Sequence, residues 1–241
     1  MKDENDVMTN DAFIDFSTEE RQMFVDRQLV SGGYYAPVKE NPLFRVSGNR
    51  YAGSKTPDSV RDKWATPKEV IDWLTKRYGA YDLDAAASKY NAVCEHFYTE
   101  EINCLKRWFG TKKHVWLNPP YSNPDPFVKK AIEQMEYDNQ IDVLLPGDNS
   151  TAWFTEAQRH AAEIIWIIGD LYEEDGREYC RSGRLAFISA MTGEAVSGNN
   201  KGSVIFIMRK LNEGEKQLTH YVNISEICPS VKNKRARARN V

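Results

Sequence analysis

Cysteine is scarce in this chain of 241 residues: Cys94, Cys104, Cys180 and Cys228 stand far apart, with no Cys-x-x-Cys spacing. With no secretory context either, that pattern excludes a disulfide framework and a paired-cysteine zinc site. Cys94, His96, Cys104 and His114 come nearest to a ligand set, but their spacing matches no familiar metal loop, so no metal is expected. Long apolar runs are missing too. None approaches the roughly 20 residues of a membrane span, and the acidic N-terminus has no apolar h-region. The chain is therefore expected to be soluble and cytoplasmic, with no membrane partner. Nor is there an excess of positive charge: the net formal charge of −3 excludes a nonspecific polycation. Internal repeats and low-complexity runs are absent, which excludes solenoids and arrays.

The apolar content of 41% suits one substantial core, so the chain reads as one domain with tails. Residues 1–63 form an N-terminal extension, 64–211 the central domain, and 212–241 a C-terminal segment. Charge is unevenly spread. Residues 1–31 hold eight acids against three bases, whereas Lys232, Lys234, Arg235, Arg237 and Arg239 fall within eight residues near the end. That basic tail either neutralises phosphates without reading sequence or is a solvated end.

Periodicity predicts a helix over 18–30 and an irregular stretch over 32–63, rich in Gly and Pro. From Thr66 the pattern changes. Thr66 suits a helix N-cap, Pro67 a first turn, and Val70, Ile71 and Leu74 form a helical stripe that Gly79 can end. Strands are predicted at Tyr81–Asp84, Val115–Leu117, Ile141–Leu145 and Ile164–Ile168, with helices at Phe127–Met135 and Ala152–Ala162. Two more strands follow at Leu185–Ser189 and Val204–Met208. Such alternation implies an α/β fold with a mainly parallel sheet covered on both faces.

Asn118-Pro119-Pro120-Tyr121, at the end of the apolar run Val115-Trp116-Leu117, is the most informative stretch. Each proline fixes its own φ and restricts the residue before it, so the loop has few conformations. The Asn118 side-chain carbonyl and the Pro119 backbone carbonyl can both point at one planar amine, and Tyr121 can cover the ring that carries it. An exocyclic amine conjugated to a ring is a poor nucleophile until two acceptors draw its N–H bonds out of plane. Two acceptors beside an aromatic face thus suit alkylation of such an amine by a methyl donor; the competing reading is a rigid turn after a core strand. In open α/β sheets ligands gather at the carboxyl ends of strands. Asp84 reaches that edge and is a candidate for the amino group of a donor, with Ala85, Ala86, Ala87 and Ser88 small enough for close approach; a carboxylate kept for solubility is the alternative. Asp82 is the weaker candidate, lying one pleat repeat earlier.

Several segments in fixed order resemble the bacteriophage-type DNA N-6-adenine methyltransferases: Trp64-Ala65-Thr66-Pro67, Asp82 to Ser88, Leu105 with Trp108, Leu117 to Ser122, Leu144-Leu145-Pro146 with Trp153-Phe154, and Arg184 to Phe187. The resemblance spans about Trp64 to Met208. It implies a Rossmann-like methyltransferase fold with an antiparallel C-terminal edge, S-adenosylmethionine as donor, and transfer to the exocyclic amine of a flipped adenine in DNA. Asn118, Pro119, Pro120 and Tyr121 would be catalytic. Trp64, Thr66, Pro67, Asp82, Asp84, Ala85, Ala86 and Asn118 would hold the donor, with Trp64 to Pro67 closing over it. Tyr121, Ser122, Trp153, Phe154 and Arg184 would face the substrate, although Trp153 and Phe154 suit a core equally. Glu100 or Glu101 is a candidate for the donor ribose. One departure is the lack of glycine between Gly79 and Gly110, where many donor-binding methyltransferases carry several. The Asn-Pro-Pro-Tyr loop is also shared by enzymes that methylate protein glutamine or RNA bases, and a methyltransferase-like binding module without catalysis is a further alternative.

Only 33 residues separate Asp84 from Asn118, too few for an inserted DNA-reading domain. Recognition must come from the N-terminal extension, the Tyr172 to Arg184 loop, the Gly193 to Gly202 loop or the basic tail. So small a reader predicts a short or relaxed target sequence.

Overall fold

Helices and strands alternate along the chain because the apolar residues recur first at helical and then at strand spacing. The computed structural model describes residues 62–189, 192–196, 199 and 201–229, together with the backbone of 235–236. The helix expected over 18–30 lies outside these residues. In chain order the elements are α1 (Lys68–Tyr78), β1 (Leu83–Asp84), β2 (His114–Leu117), α2 (Asp125–Met135), β3 (Gln140–Pro146), α3 (Ala152–His160), β4 (Glu163–Ile168), β5 (Asp170–Glu174), β6 (Arg177–Arg181), β7 (Ser203–Met208), β8 (Leu218–Asn223), α4 (Ile224–Ile227) and β9 (Arg235–Ala236). A short 3₁₀ turn, Cys104–Lys106, lies between β1 and β2.

Six strands form the main sheet in the order β1-β2-β3-β7-β4-β8. The pairs β1/β2, β2/β3 and β4/β8 are parallel, and β7 runs antiparallel to both β3 and β4. This is the expected Rossmann-like arrangement, with one difference of placement. The antiparallel strand is seated inside the C-terminal half of the sheet, and the parallel strand β8 forms the rim. Every residue of β7 is buried, as an interior strand with both faces covered requires.

Side chains alternate across the sheet and build two cores. Val115, Leu117, Ile141, Val143, Leu145, Val204 and Phe206 meet Val128, Ala131 and Met135 of α2 and Phe154 and Ala157 of α3 on one face. Trp116, Leu144, Ile165, Ile167, Ile205 and Ile207 meet Val70, Ile71 and Leu74 of α1 and Ile224 and Ile227 of α4 on the other. The stripe read from the sequence is thus the buried face of α1. Its start lies one residue later than expected: Pro67 holds the cap position and Thr66 is buried just before it. At the amino end of the sheet Asp142 is fully buried, accepting from the Tyr81 hydroxyl at 2.8 Å and lying 2.9 Å from His114 Nε2.

Two expectations change. Leu185–Ser189 is no strand: Ile188 forms only isolated bridges, to Ala65 and Ala195. The Tyr172 to Arg184 region is a hairpin of β5 and β6 rather than a loop, turned at Asp175-Gly176, both with positive φ. Strand β9 adds to it, pairing Ala236 with Tyr179 and Arg235 with Cys180. Residues beyond 211 also contribute β8 and α4 to the main sheet and its core.

Candidate active site

β2 ends at Leu117, so Asn118 leaves the carboxyl edge of the sheet directly. Asn118, Pro119 and Tyr121 line a depression together with Asp62, Trp64 and Phe187. The Asn118 Oδ1 atom is buried and has no hydrogen-bond partner among the described residues. The Tyr121 hydroxyl is likewise buried and without a partner there, although the residue as a whole is only partly buried. Burial drives the ionisation of that hydroxyl far up, so it stays protonated at any physiological pH. An acceptor and a donor, both withdrawn from water, therefore converge beside one depression.

Three aromatic rings surround them. Phe187 meets Tyr121 edge-on, with centroids 5.9 Å apart, and stacks with Trp64 at 6.2 Å. The segment before α1 is held against this wall by paired backbone bonds, Ala65 N–H to Ile188 O and Ile188 N–H to Ala65 O, each 2.9 Å. On its other side Asp62 accepts from the Ser122 amide at 3.1 Å and from the Ser122 hydroxyl at 2.5 Å.

Asp84 lies on the neighbouring strand, in register with Trp116 and so two pairs short of Asn118. Its carboxylate is buried. One oxygen accepts from the Ala86 amide at 3.2 Å and the other from the Val93 amide at 3.1 Å. Desolvation pushes its pKa up to about 7, against the lowering effect of the two amides. Burial removes the reading of Asp84 as a solubilising charge: it organises the small-residue loop Ala85 to Val93. Outside β1, Phe97 forms an isolated parallel bridge with Asp84, and Glu100 and Glu101 are exposed a few residues past it.

Other expected residues go elsewhere. Asp82 is exposed at the amino end of β1, where it accepts from the His114 amide at 2.9 Å, far from the carboxyl edge. Phe154 is buried in the core of the opposite face, 5.2 Å from Phe206, and Trp153 packs beside it, so neither lines the depression. α3 turns Phe154 toward Phe206 of β7 and Trp166 of β4 rather than toward the loop. Arg184 is exposed and Ser122 is committed to Asp62. Among the described residues no group of three or more His, Cys, Asp or Glu is placed to hold a metal, and no helix is long and apolar enough to cross a membrane.

Among the recognition candidates, Lys201 is ion-paired with Asp148. In the hairpin Tyr172 stacks on Tyr179 at 5.5 Å, and Arg181 lies over Tyr172 while bonding Asp170 at 3.3 Å. Residues 170–181 carry five acids and two bases, so this hairpin taken alone repels phosphate. Its partner strand β9 belongs to the basic tail.

Sequence reading missed Phe187 and Asp62. Phe187 enters the sequence reading only as part of a strand and of the Arg184 to Phe187 segment, with no site role, whereas the structure sets it against Tyr121. Asp62 has no local signal at all; its role depends on a contact 60 positions away.

The pattern that defines the DNA N-6-adenine-methyltransferase (Dam) family matches residues 53–239. A DNA N-6-adenine-methyltransferase of Escherichia phage T1 is 66% identical over the whole of both chains. Another, from Haemophilus phage HP1 (strain HP1c1), is 34% identical over 177 residues, covering 72% of this chain and 94% of its own length.

Proposed function

The chain belongs to the DNA N-6-adenine-methyltransferase (Dam) family, and from that premise we propose that it transfers a methyl group from S-adenosylmethionine to the exocyclic amine of an adenine flipped out of DNA. The observation that carries this reading is the buried Asn118 Oδ1, without a partner among the described residues, in a depression walled by Trp64, Tyr121 and Phe187. A buried acceptor without a donor costs about 1–3 kcal/mol, a cost offset when a ligand brings the N–H. The amine of adenine brings two.

Asn118 Oδ1 accepts one N–H of that amine and the Pro119 carbonyl accepts the other, drawing the lone pair out of conjugation. Tyr121 covers the base, and the Phe187 ring set edge-on against it fixes its orientation. The prolines hold these groups in place before the base arrives, and holding reactants in attack geometry removes roughly 7–11 kcal/mol of barrier. No strong base is needed: as the N–C bond forms the donor's S–C bond would break with its electron pair staying on sulfur, and the nitrogen, acidic only then, would release one proton along its hydrogen bond to Asn118 or Pro119 and on to water. A base in a duplex cannot reach this loop, so it is extruded at a cost of a few kcal/mol.

When bound, S-adenosylmethionine supplies the electrophilic methyl group. The chain offers it the carboxyl ends of β1 and β2: Asp84 with its alanine loop on one side, Trp64, Thr66 and Pro67 on the other, and Glu100 or Glu101 just past the Phe97 bridge. Small side chains at Ala85 and Ala86 permit close approach without the glycines that other donor sites use. Asp82 falls out of the set. DNA is the macromolecular partner, and the basic tail joined to the β5–β6 hairpin supplies phosphate contacts. Since both relatives are phage proteins, phage or prophage origin belongs to the same reading.

The test is transfer of labelled methyl to unmethylated DNA followed by nucleoside mass spectrometry. N6-methyldeoxyadenosine as the labelled product supports the proposal. Label appearing instead in protein glutamine or RNA under matched conditions favours the alternative acceptors, and donor binding without transfer to any of them favours a binding module.

A further inference from the structure

Prolines immobilise most of the Asn118 to Pro124 loop, but not all of it. Pro119, Pro120 and Pro124 fix their own φ and restrict Asn118, Pro119 and Asn123 before them. The residues left with two soft dihedrals are Tyr121 and Ser122. These are the positions on which the base-covering ring depends. Asp62 takes hold there: one carboxylate oxygen accepts from the Ser122 amide and the other from its hydroxyl, at 3.1 and 2.5 Å. The amide bond fixes the Tyr121–Ser122 peptide plane, and with it the ψ angle of Tyr121. Three residues on, the Ala65–Ile188 pair anchors the same short segment to the Phe187 wall. Residues 62–65 thus form a strap joining both walls of the depression.

We infer that Asp62 is a positioning residue for methyl transfer, acting through Ser122 to hold Tyr121 in its covering pose. The inference rests on the function proposed above. Both Asp62 oxygens are engaged by Ser122, so its action does not require contact with the base or the donor. Its chemistry distinguishes it from a charge that touches substrate. Asn at position 62 can accept from the amide through Oδ1, and its amide group can donate to the Ser122 oxygen, which keeps the clamp and removes the charge.

The experiment compares Asp62→Ala, Asp62→Asn, Ser122→Ala and the double variant Asp62→Ala/Ser122→Ala in steady-state methyl transfer to DNA. Calorimetric S-adenosylmethionine binding and amide hydrogen exchange of the Asn118 to Pro124 peptide accompany it. A misplacement of about 1 Å costs up to a hundredfold, so Asp62→Ala should lower kcat by about tenfold to a hundredfold, with donor affinity within about twofold of wild type. Asp62→Asn should recover to within about threefold. The double variant should be no slower than Asp62→Ala, because both changes cut the same contact. Exchange should accelerate in Asp62→Ala and stay near wild type in Asp62→Asn.

Multiplying effects of the two single changes, or equal losses in Asn and Ala with KM for DNA as the parameter that moves, would overturn the inference. So would unchanged exchange in Asp62→Ala. Donor binding retained by a slow variant separates lost positioning from lost folding. Absence of DNA methylation by the wild type would instead strike the proposed function, and the exchange result would still decide the clamp.

Discussion

Asn118→Ala should move stability and activity in opposite directions. In the free protein Asn118 Oδ1 is buried without a donor among the described residues. Such an atom is a standing cost of about 1–3 kcal/mol. Removing the side chain withdraws that cost, but also deletes a few buried contacts and leaves a small void. These losses are limited because Asn118 lines an open depression and is only half-buried. The net change should therefore lie between neutrality and about 2 kcal/mol of stabilisation, a rise of up to about 4–8 °C in Tm for a domain of this size. Transfer should fall steeply, since losing one positioned acceptor of a reacting group costs about 3–4 kcal/mol, or roughly a hundredfold to a thousandfold in kcat.

The assay pairs calorimetric unfolding with single-turnover methyl transfer on one preparation. Loss of more than about 1 kcal/mol of stability would mean that Oδ1 already has a structural partner, and the proposed site would lose its main support. Transfer at the wild-type rate would remove Asn118 from the reaction whatever the stability.

Three further outcomes follow from the same structure. Phe154→Ala should destabilise by about 3–5 kcal/mol as a core truncation while S-adenosylmethionine affinity and kcat per folded molecule hold; a specific loss of kcat in folded protein would return this aromatic to the base pocket. Asp84 binds its proton more tightly folded than unfolded, since burial lifts it from 3.8 to about 7; its contribution is therefore present below about pH 4 and lost as pH climbs to about 7. Urea midpoints from pH 4 to 8 should show that decline in the wild type and a flatter profile in Asp84→Asn, and equal slopes would exclude Asp84 as the source. Neutralising Lys232, Lys234, Arg235, Arg237 and Arg239 together should flatten the dependence of log affinity for DNA on log salt by up to about 4.5, at about 0.9 per phosphate contact; an unchanged slope would return the tail to a solvated end.

The sheet and its flanking helices were legible because burial writes directly into sequence. The run Val115-Trp116-Leu117 is apolar at consecutive positions and Ile141 to Leu145 is apolar apart from the buried Asp142, as suits strands covered on both faces, and Val70, Ile71 and Leu74 keep helical spacing. β8 was missed because a rim strand has no such run: Leu218, Thr219 and Tyr221 are exposed, and only Val222 of the six residues is buried. The hairpin did leave a signal in Asp175-Gly176 between Tyr172 and Tyr179, the sort of dipeptide that favours a tight turn. Within the site, Asn118 to Tyr121 was readable because the loop is contiguous and its stiffness is local. Asp62 and Phe187 were not, since each enters through a tertiary contact that no spacing encodes. Trp153 and Phe154 show the converse ambiguity: aromatic character after a strand suits a pocket or a core, and here both side chains pack into the core.

On the function proposed above, the connection from β4 to β7, residues 169–202, carries both a recognition candidate and one wall of the base site. It carries the hairpin outward from the carboxyl edge of the sheet and then returns through Leu185 to Ile188, delivering Phe187 to the depression. Movement of the hairpin on DNA would disturb the base-covering wall unless its root were fixed. Gly169 and Gly183 supply that fixity. A Cβ on Gly169 would run into the Arg181 carbonyl, and one on Gly183 into the backbone of Ile168 and Gly169, so the two ends of the arm touch where only glycine fits. Beyond this clasp the arm's own residues carry net negative charge, and its character toward DNA reverses only when the basic tail adds to it through β9. On the function proposed above, the chain would reach DNA with its last residues and hold the base with a loop from its middle, and the clasp would let the first contact vary without displacing the second.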